Sequence, residues 1–127
     1  MNSKKNLLDH DPNIVVAIDF DGTLTIESCV SDFFSYNLYA IEQAKKIKNL
    51  GVTLILWTCR EGDILSQITK ELKKYGLIFD FVNQGNGKRG NSRKVNADIY
   101  IDDRANDGIV NWEKIYQRIQ QIKTMEG

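Results

Sequence analysis

Proline occurs once in this 127-residue chain, histidine once and cysteine twice, and 17 Lys+Arg are balanced by 17 Asp+Glu. Each scarcity closes off a class of protein. A formal net charge of zero gives no global pull towards nucleic acid or an anionic membrane. The run 88–94 remains as a local basic patch. Cys29 and Cys59 stand far apart and in no metal-ligand spacing, so they read as reduced thiols in a reducing compartment. The polar start, 1–12, lacks an apolar signal core and reads as a loose leader, with His10 solvated in it. No stretch has the apolar length needed to span a bilayer, so the expectation is a cytoplasmic protein with no membrane partner.

What is present suits one ordinary globular domain. A chain of this length buries roughly two-thirds of its unfolded surface, and 42% apolar with 27% charged residues is typical of a soluble fold. No repeat, low-complexity tract or linker divides it. The β-branched run 14–18 predicts a strand buried on both faces, 53–57 a second, 78–82 a weaker third and 99–101 a short fourth. Apolar residues recur at helical spacing over 39–50 and 63–75, closed by Gly51 and Gly76. A last helix is predicted over 111–123, with Asn111 as its N-cap. This alternation predicts an α/β domain, a three-layer α/β/α Rossmann-like arrangement with a mainly parallel sheet of four to five strands. In such sheets ligands bind beyond the carboxyl ends of the strands. Asp19, Thr58 and Asp102 all follow strands and are expected to converge on that edge.

The segment 18–24, Ile-Asp-Phe-Asp-Gly-Thr-Leu, carries the strongest chemical signal. Asp19 and Asp21 are two residues apart after a buried strand and would point the same way if the strand continued. Two crowded anions need a cation or a proton. Gly22 permits a turn whose successive N–H groups can face an anion. Magnesium, with its preference for oxygen ligands, beside a phosphoryl group suits this arrangement. An acidic strand-to-loop turn is the plain alternative, made less apt by the strand before it and Gly-Thr after it.

Asp19-Phe20-Asp21-Gly22-Thr23 resembles the first signature of the haloacid dehalogenase-like (HAD) phosphohydrolases. Later residues match the same family in order: Thr58 ends the second strand, Lys94 precedes the fourth, and Asp102 and Asp103 end it. The resemblance runs from about residue 14 to 119. It implies Asp19 as nucleophile and Asp21 as acid/base. Thr58 and Lys94 would hold the phosphoryl oxygens, with the main-chain N–H groups of Phe20, Asp21, Gly22 and Cys59. Mg2+ would be bound by Asp19, Asp21 (through its carbonyl) and Asp102, with Asp103 direct or through water. The implied activity is a magnesium-dependent phosphomonoester hydrolase working through an aspartyl-phosphate.

Family members commonly carry a cap domain after the first or third strand. Here 25–38 and 83–93 are too short for one, which implies an open site. A phosphorylated small molecule or macromolecule, a nucleic-acid end among them, is then the substrate, and a second copy of the chain is one source of a lid. The run 101–104 is similar to the corresponding strand end of the deoxyribonucleotidase branch, which keeps a nucleotidase or polynucleotide-end phosphatase open. A non-catalytic phosphate-binding or regulatory module is the alternative of another class. Arg60, Glu61 and Arg104 flank the site, with surface salt bridges an equal reading for each. Trp57 reads as core.

Overall fold

The computed structural model describes residues 14–26, 35–83, 97–102 and 110–126. Strand β1 (Val15–Asp19) is buried over its first four residues, as its β-branched sequence requires. The chain then passes through helix α1 (Leu38–Lys48), strand β2 (Thr53–Trp57) and helix α2 (Gly62–Lys74). Strands β3 (Phe81–Val82) and β4 (Ile99–Ile101) and helix α3 (Trp112–Glu126) complete it. The strands form one parallel sheet in the order β3-β2-β1-β4. β1 pairs with β2 from Val15↔Thr53 to Asp19↔Trp57, and with β4 from Val16↔Ile99 to Ile18↔Ile101. The two largely buried strands, β1 and β2, are thus the inner ones, and the domain is an α/β fold with no cap domain evident among the described residues.

Local chemistry sets the helix ends. The Asn37 side chain accepts the Ala40 N–H at 3.1 Å, and Asn111 accepts that of Lys114 at 3.0 Å, so α1 and α3 both start on asparagine caps. Lys45, Lys46 and Lys48 occupy the last turn of α1, where cations oppose the helix dipole. Gly51 follows at φ +86°, a conformation that side-chain-bearing residues rarely adopt.

The three described helices bury residues against the same face of the sheet. Ile41 and Ile47 of α1, Ile68 and Leu72 of α2, and Trp112 and Ile119 of α3 share one core with Val16, Ile18, Leu54 and Leu56. The opposite face carries a smaller cluster of Val15, Ala17 and Ile55, against which Trp57, Phe81 and Ala97 pack. Among the described residues no helix joins that smaller cluster, and the leader 1–12 lies outside them.

The third strand is shorter than 78–82. Ile78 is 54% exposed, and the Asp80 carboxylate, not a main-chain carbonyl, takes the Leu54 N–H at 2.8 Å. The main-chain ladder therefore starts at Ile55↔Phe81.

Candidate active site

Asp19 is the last residue of β1 and half-buried. Asp102 follows the last residue of β4, one step beyond the pair Ile18↔Ile101. Neighbouring parallel strands lie about 4.8 Å apart, so the two acidic residues come from adjacent strand ends. They are separated by more than eighty positions in sequence.

The chain leaves β1 in a tight turn closed on one carbonyl. Phe20 C=O accepts the N–H groups of Thr23 (3.2 Å), Leu24 (2.9 Å) and Thr25 (3.3 Å), while the Phe20 ring is fully buried. Gly22 sits at φ +84° and its N–H donates to Thr25 Oγ1 at 2.9 Å. This amide, expected to face an anion, is engaged within the turn, so the glycine acts here through its conformation. Thr23 and Thr25 are buried, which fastens the turn beneath the site.

Thr58 follows β2 and is 9% exposed. Its N–H donates to Asn83 Oδ1 at 2.8 Å, and its hydroxyl accepts the Arg60 N–H at 3.1 Å. A hydroxyl that accepts one bond keeps its own proton to donate, which is what a phosphoryl oxygen needs. Cys59 is an exposed free thiol. Asn83, at φ +55°, also gives its N–H to Leu56 O at 2.8 Å and so ties the end of β3 to the end of β2. Asparagine tolerates that conformation better than most residues. Nothing in the order of residues marks Thr58, 25 positions away, as the partner of the Asn83 side chain.

Arg60 is the residue whose role emerges only in three dimensions. Its Nε donates to Asp21 Oδ2 at 3.1 Å and its Nη2 to Oδ1 at 2.9 Å, with both side chains 23% exposed. The turn after β1 and the turn after β2 are therefore joined by a two-point guanidinium–carboxylate pair. Lys94, Asp103 and Arg104 lie outside the described residues.

Asp19, Asp102 and a main-chain carbonyl are hard oxygen donors, and magnesium takes one or two carboxylates while keeping several waters. Among the described residues no group of three or more His, Cys, Asp or Glu side chains gathers around one point. The donor set fits magnesium with water completing its shell. It does not fit a metal that demands a full protein cage.

An antiparallel bridge flanks this edge. Ile26 N–H donates to Ser35 O and Asn37 N–H to Leu24 O, both at 2.8 Å, and Thr25 bridges Tyr36. Tyr36 stacks edge-on against Phe20 at 6.1 Å and donates its hydroxyl hydrogen bond to Glu71 of α2. A separate open groove of about 260 Å³, lined by Lys70, Lys73, Leu77 and Val82 among others, shares no residue with the strand-end site.

Sheet order and strand ends together define an α/β protein of parallel-sheet type, with Asp19 and Asp102 at adjacent strand ends of its carboxyl edge. No family model matches the sequence, and no curated protein matches it. Among solved structures, the chain is similar to a conserved protein from Bacteroides thetaiotaomicron, at 33% identity and a TM-score of 0.74. That match covers 87% of this chain and 92% of the other. A crystal structure of a protein from Vibrio cholerae matches at 25% identity and a TM-score of 0.49, over 90% and 99% of the two chains. The chain belongs to the family of the Bacteroides conserved protein.

Proposed function

We propose that this protein is a capless phosphohydrolase of the haloacid dehalogenase-like superfamily, hydrolysing phosphomonoesters through an aspartyl-phosphate on Asp19. The observation that supports the reading is that Asp19 and Asp102 stand at the ends of adjacent strands, while Arg60 ties the turn carrying Asp21 to the turn after β2. An Asp19 carboxylate oxygen attacks phosphorus as the bond to the leaving oxygen breaks, and the Asp21 carboxyl gives that oxygen its proton. Asp21 then takes a proton from the water whose oxygen displaces Asp19, releasing inorganic phosphate and restoring both carboxyl groups. The Thr58 hydroxyl donates to a phosphoryl oxygen, with Lys94 as the accompanying cation. Mg2+, held by Asp19, Asp102 and the Asp21 carbonyl, would offset the negative charge of the phosphoryl group. The short connections around the edge favour substrates whose phosphate projects from a larger body, nucleotides and nucleic-acid ends among them.

Release of phosphate from p-nitrophenyl phosphate, followed in wild type and Asp19→Asn, tests the reading. Asp19→Asn abolishes release and keeps the wild-type circular dichroism. Near-normal turnover by that variant removes Asp19 as nucleophile. Binding of phosphate by a wild-type protein with no turnover identifies a binding module instead.

A further inference from the structure

We propose that Arg60 is a positioning residue that sets the orientation of the Asp21 carboxyl for proton transfer, an inference resting on the phosphatase reading above. Asp21 lies in the turn after β1 rather than in the strand, so the ladder does not hold its side chain. What grips it is the guanidinium, through Nε to Oδ2 and Nη2 to Oδ1. Two parallel contacts fix the plane of a carboxylate, which one contact cannot do. Each carboxylate oxygen has a second lone pair, which can carry the proton that passes to the leaving oxygen while the guanidinium holds the first.

Arg60 is itself held. Its N–H is bound by Thr58 Oγ1, and Glu61 continues in extended conformation (φ −151°, ψ 175°) into α2. Thr58 and Asp21 thus share one rigid intermediary: the residue whose main chain engages the phosphate-binding hydroxyl carries the side chain that aims the acid. Lysine at 60 would keep the charge but lose the planar fork.

The test is the dependence on the leaving group of kcat/KM, which reports the steps up to departure of that group and not the later hydrolysis of the aspartyl-phosphate. An alkyl phosphate needs a proton on its departing oxygen, whereas p-nitrophenolate leaves without one. General acid catalysis contributes 10²–10⁴-fold in typical cases, so Arg60→Ala should lose about 100-fold on an alkyl phosphate. On p-nitrophenyl phosphate it should lose only a few-fold. Arg60→Lys, which preserves charge and guards against a folding defect, should show the same selective loss to a smaller degree. In an Asp21→Asn background, Arg60→Ala should cause no further loss on the alkyl substrate. Equal losses on both substrates, or additive losses in the double variant, overturn the positioning role while leaving the phosphatase reading intact. A wild-type protein that releases phosphate from neither substrate overturns the phosphatase reading, and this proposal with it.

Discussion

Tyr36 connects three parts of the molecule through one side chain. Its ring meets Phe20 at 6.1 Å and Tyr75 at 5.4 Å, and its hydroxyl bonds to Glu71. Burial raises its pKa well above the ordinary 10.0, and the Glu71 hydrogen bond and charge push the same way. The sign follows directly. A phenol that holds its proton more tightly when folded contributes stability below its unfolded value, and that contribution is lost as pH rises past 10.0 towards the raised value. Tyr36→Phe keeps the ring and removes the hydroxyl. Urea titrations should show it less stable than wild type by about 1 kcal/mol at neutral pH, with a shallower fall above pH 10. An unchanged alkaline limb would show that this phenol is not the group responsible. The Tyr36–Glu71 pair could not be read from sequence, because 35 positions separate partners that are ordinary residues individually.

At the scale of elements, two strand pairs begin in the same way. Asp98, before β4, gives its N–H to Val15 O and takes the Val15 N–H on Oδ2, both at 2.8 Å. Asp80, before β3, does the same with Leu54, again at 2.8 Å each way. Each aspartate stands one residue before the first ladder pair, Val16↔Ile99 and Ile55↔Phe81 respectively. Side-chain caps of this kind spare very short strands an unpaired neighbouring N–H. Truncating either to alanine leaves that N–H unsatisfied, a loss of about 1–2 kcal/mol visible as a lower urea midpoint.

Asp80 also accepts a bond from Lys48 Nζ at 2.6 Å. Burial opposes its ionisation, but the Lys48 hydrogen bond, the Leu54 N–H and the Lys48 charge outweigh it and bring its pKa below the ordinary 3.8. The stability it contributes is present above that value and lost as pH falls through the lowered pKa. Asp80→Ala should therefore flatten the acid limb, modestly because the carboxylate is 37% exposed and screened by solvent. An acid limb identical to wild type would remove Asp80 from it. Nothing in the sequence marks these capping roles, since Asp80 lies within the run 78–82 whose pattern predicts a strand.

For the whole molecule, the sheet's order places the first and fourth strands side by side, and with them Asp19 and Asp102. A cation bridging those ends would bind the folded chain and not the unfolded one. At 100 times its dissociation constant, such a ligand stabilises by about 2.7 kcal/mol. Magnesium should therefore raise the melting temperature of wild type but not of Asp102→Ala, and EDTA should silence phosphate release until magnesium is restored. Full turnover in metal-free protein would remove the metal from the scheme. No helix among the described residues is long and apolar enough to cross a membrane.

Local sequence determined the described elements: short apolar runs made β1 and β2, helical spacing made the three described helices, and Asn111 capped the last. Such signals are legible because each rests on neighbours within a turn or a strand. Asp19, Thr58 and Asp102 were legible for a related reason, since a parallel α/β sheet sends every strand end to one edge. Tertiary structure alone decided that the three described helices share one face, that β3 shrinks to two residues, and that Arg60 closes on Asp21 across 39 positions. Those outcomes depend on which surfaces meet and which side chains reach each other, and a distance in space has no counterpart in the order of residues along a chain.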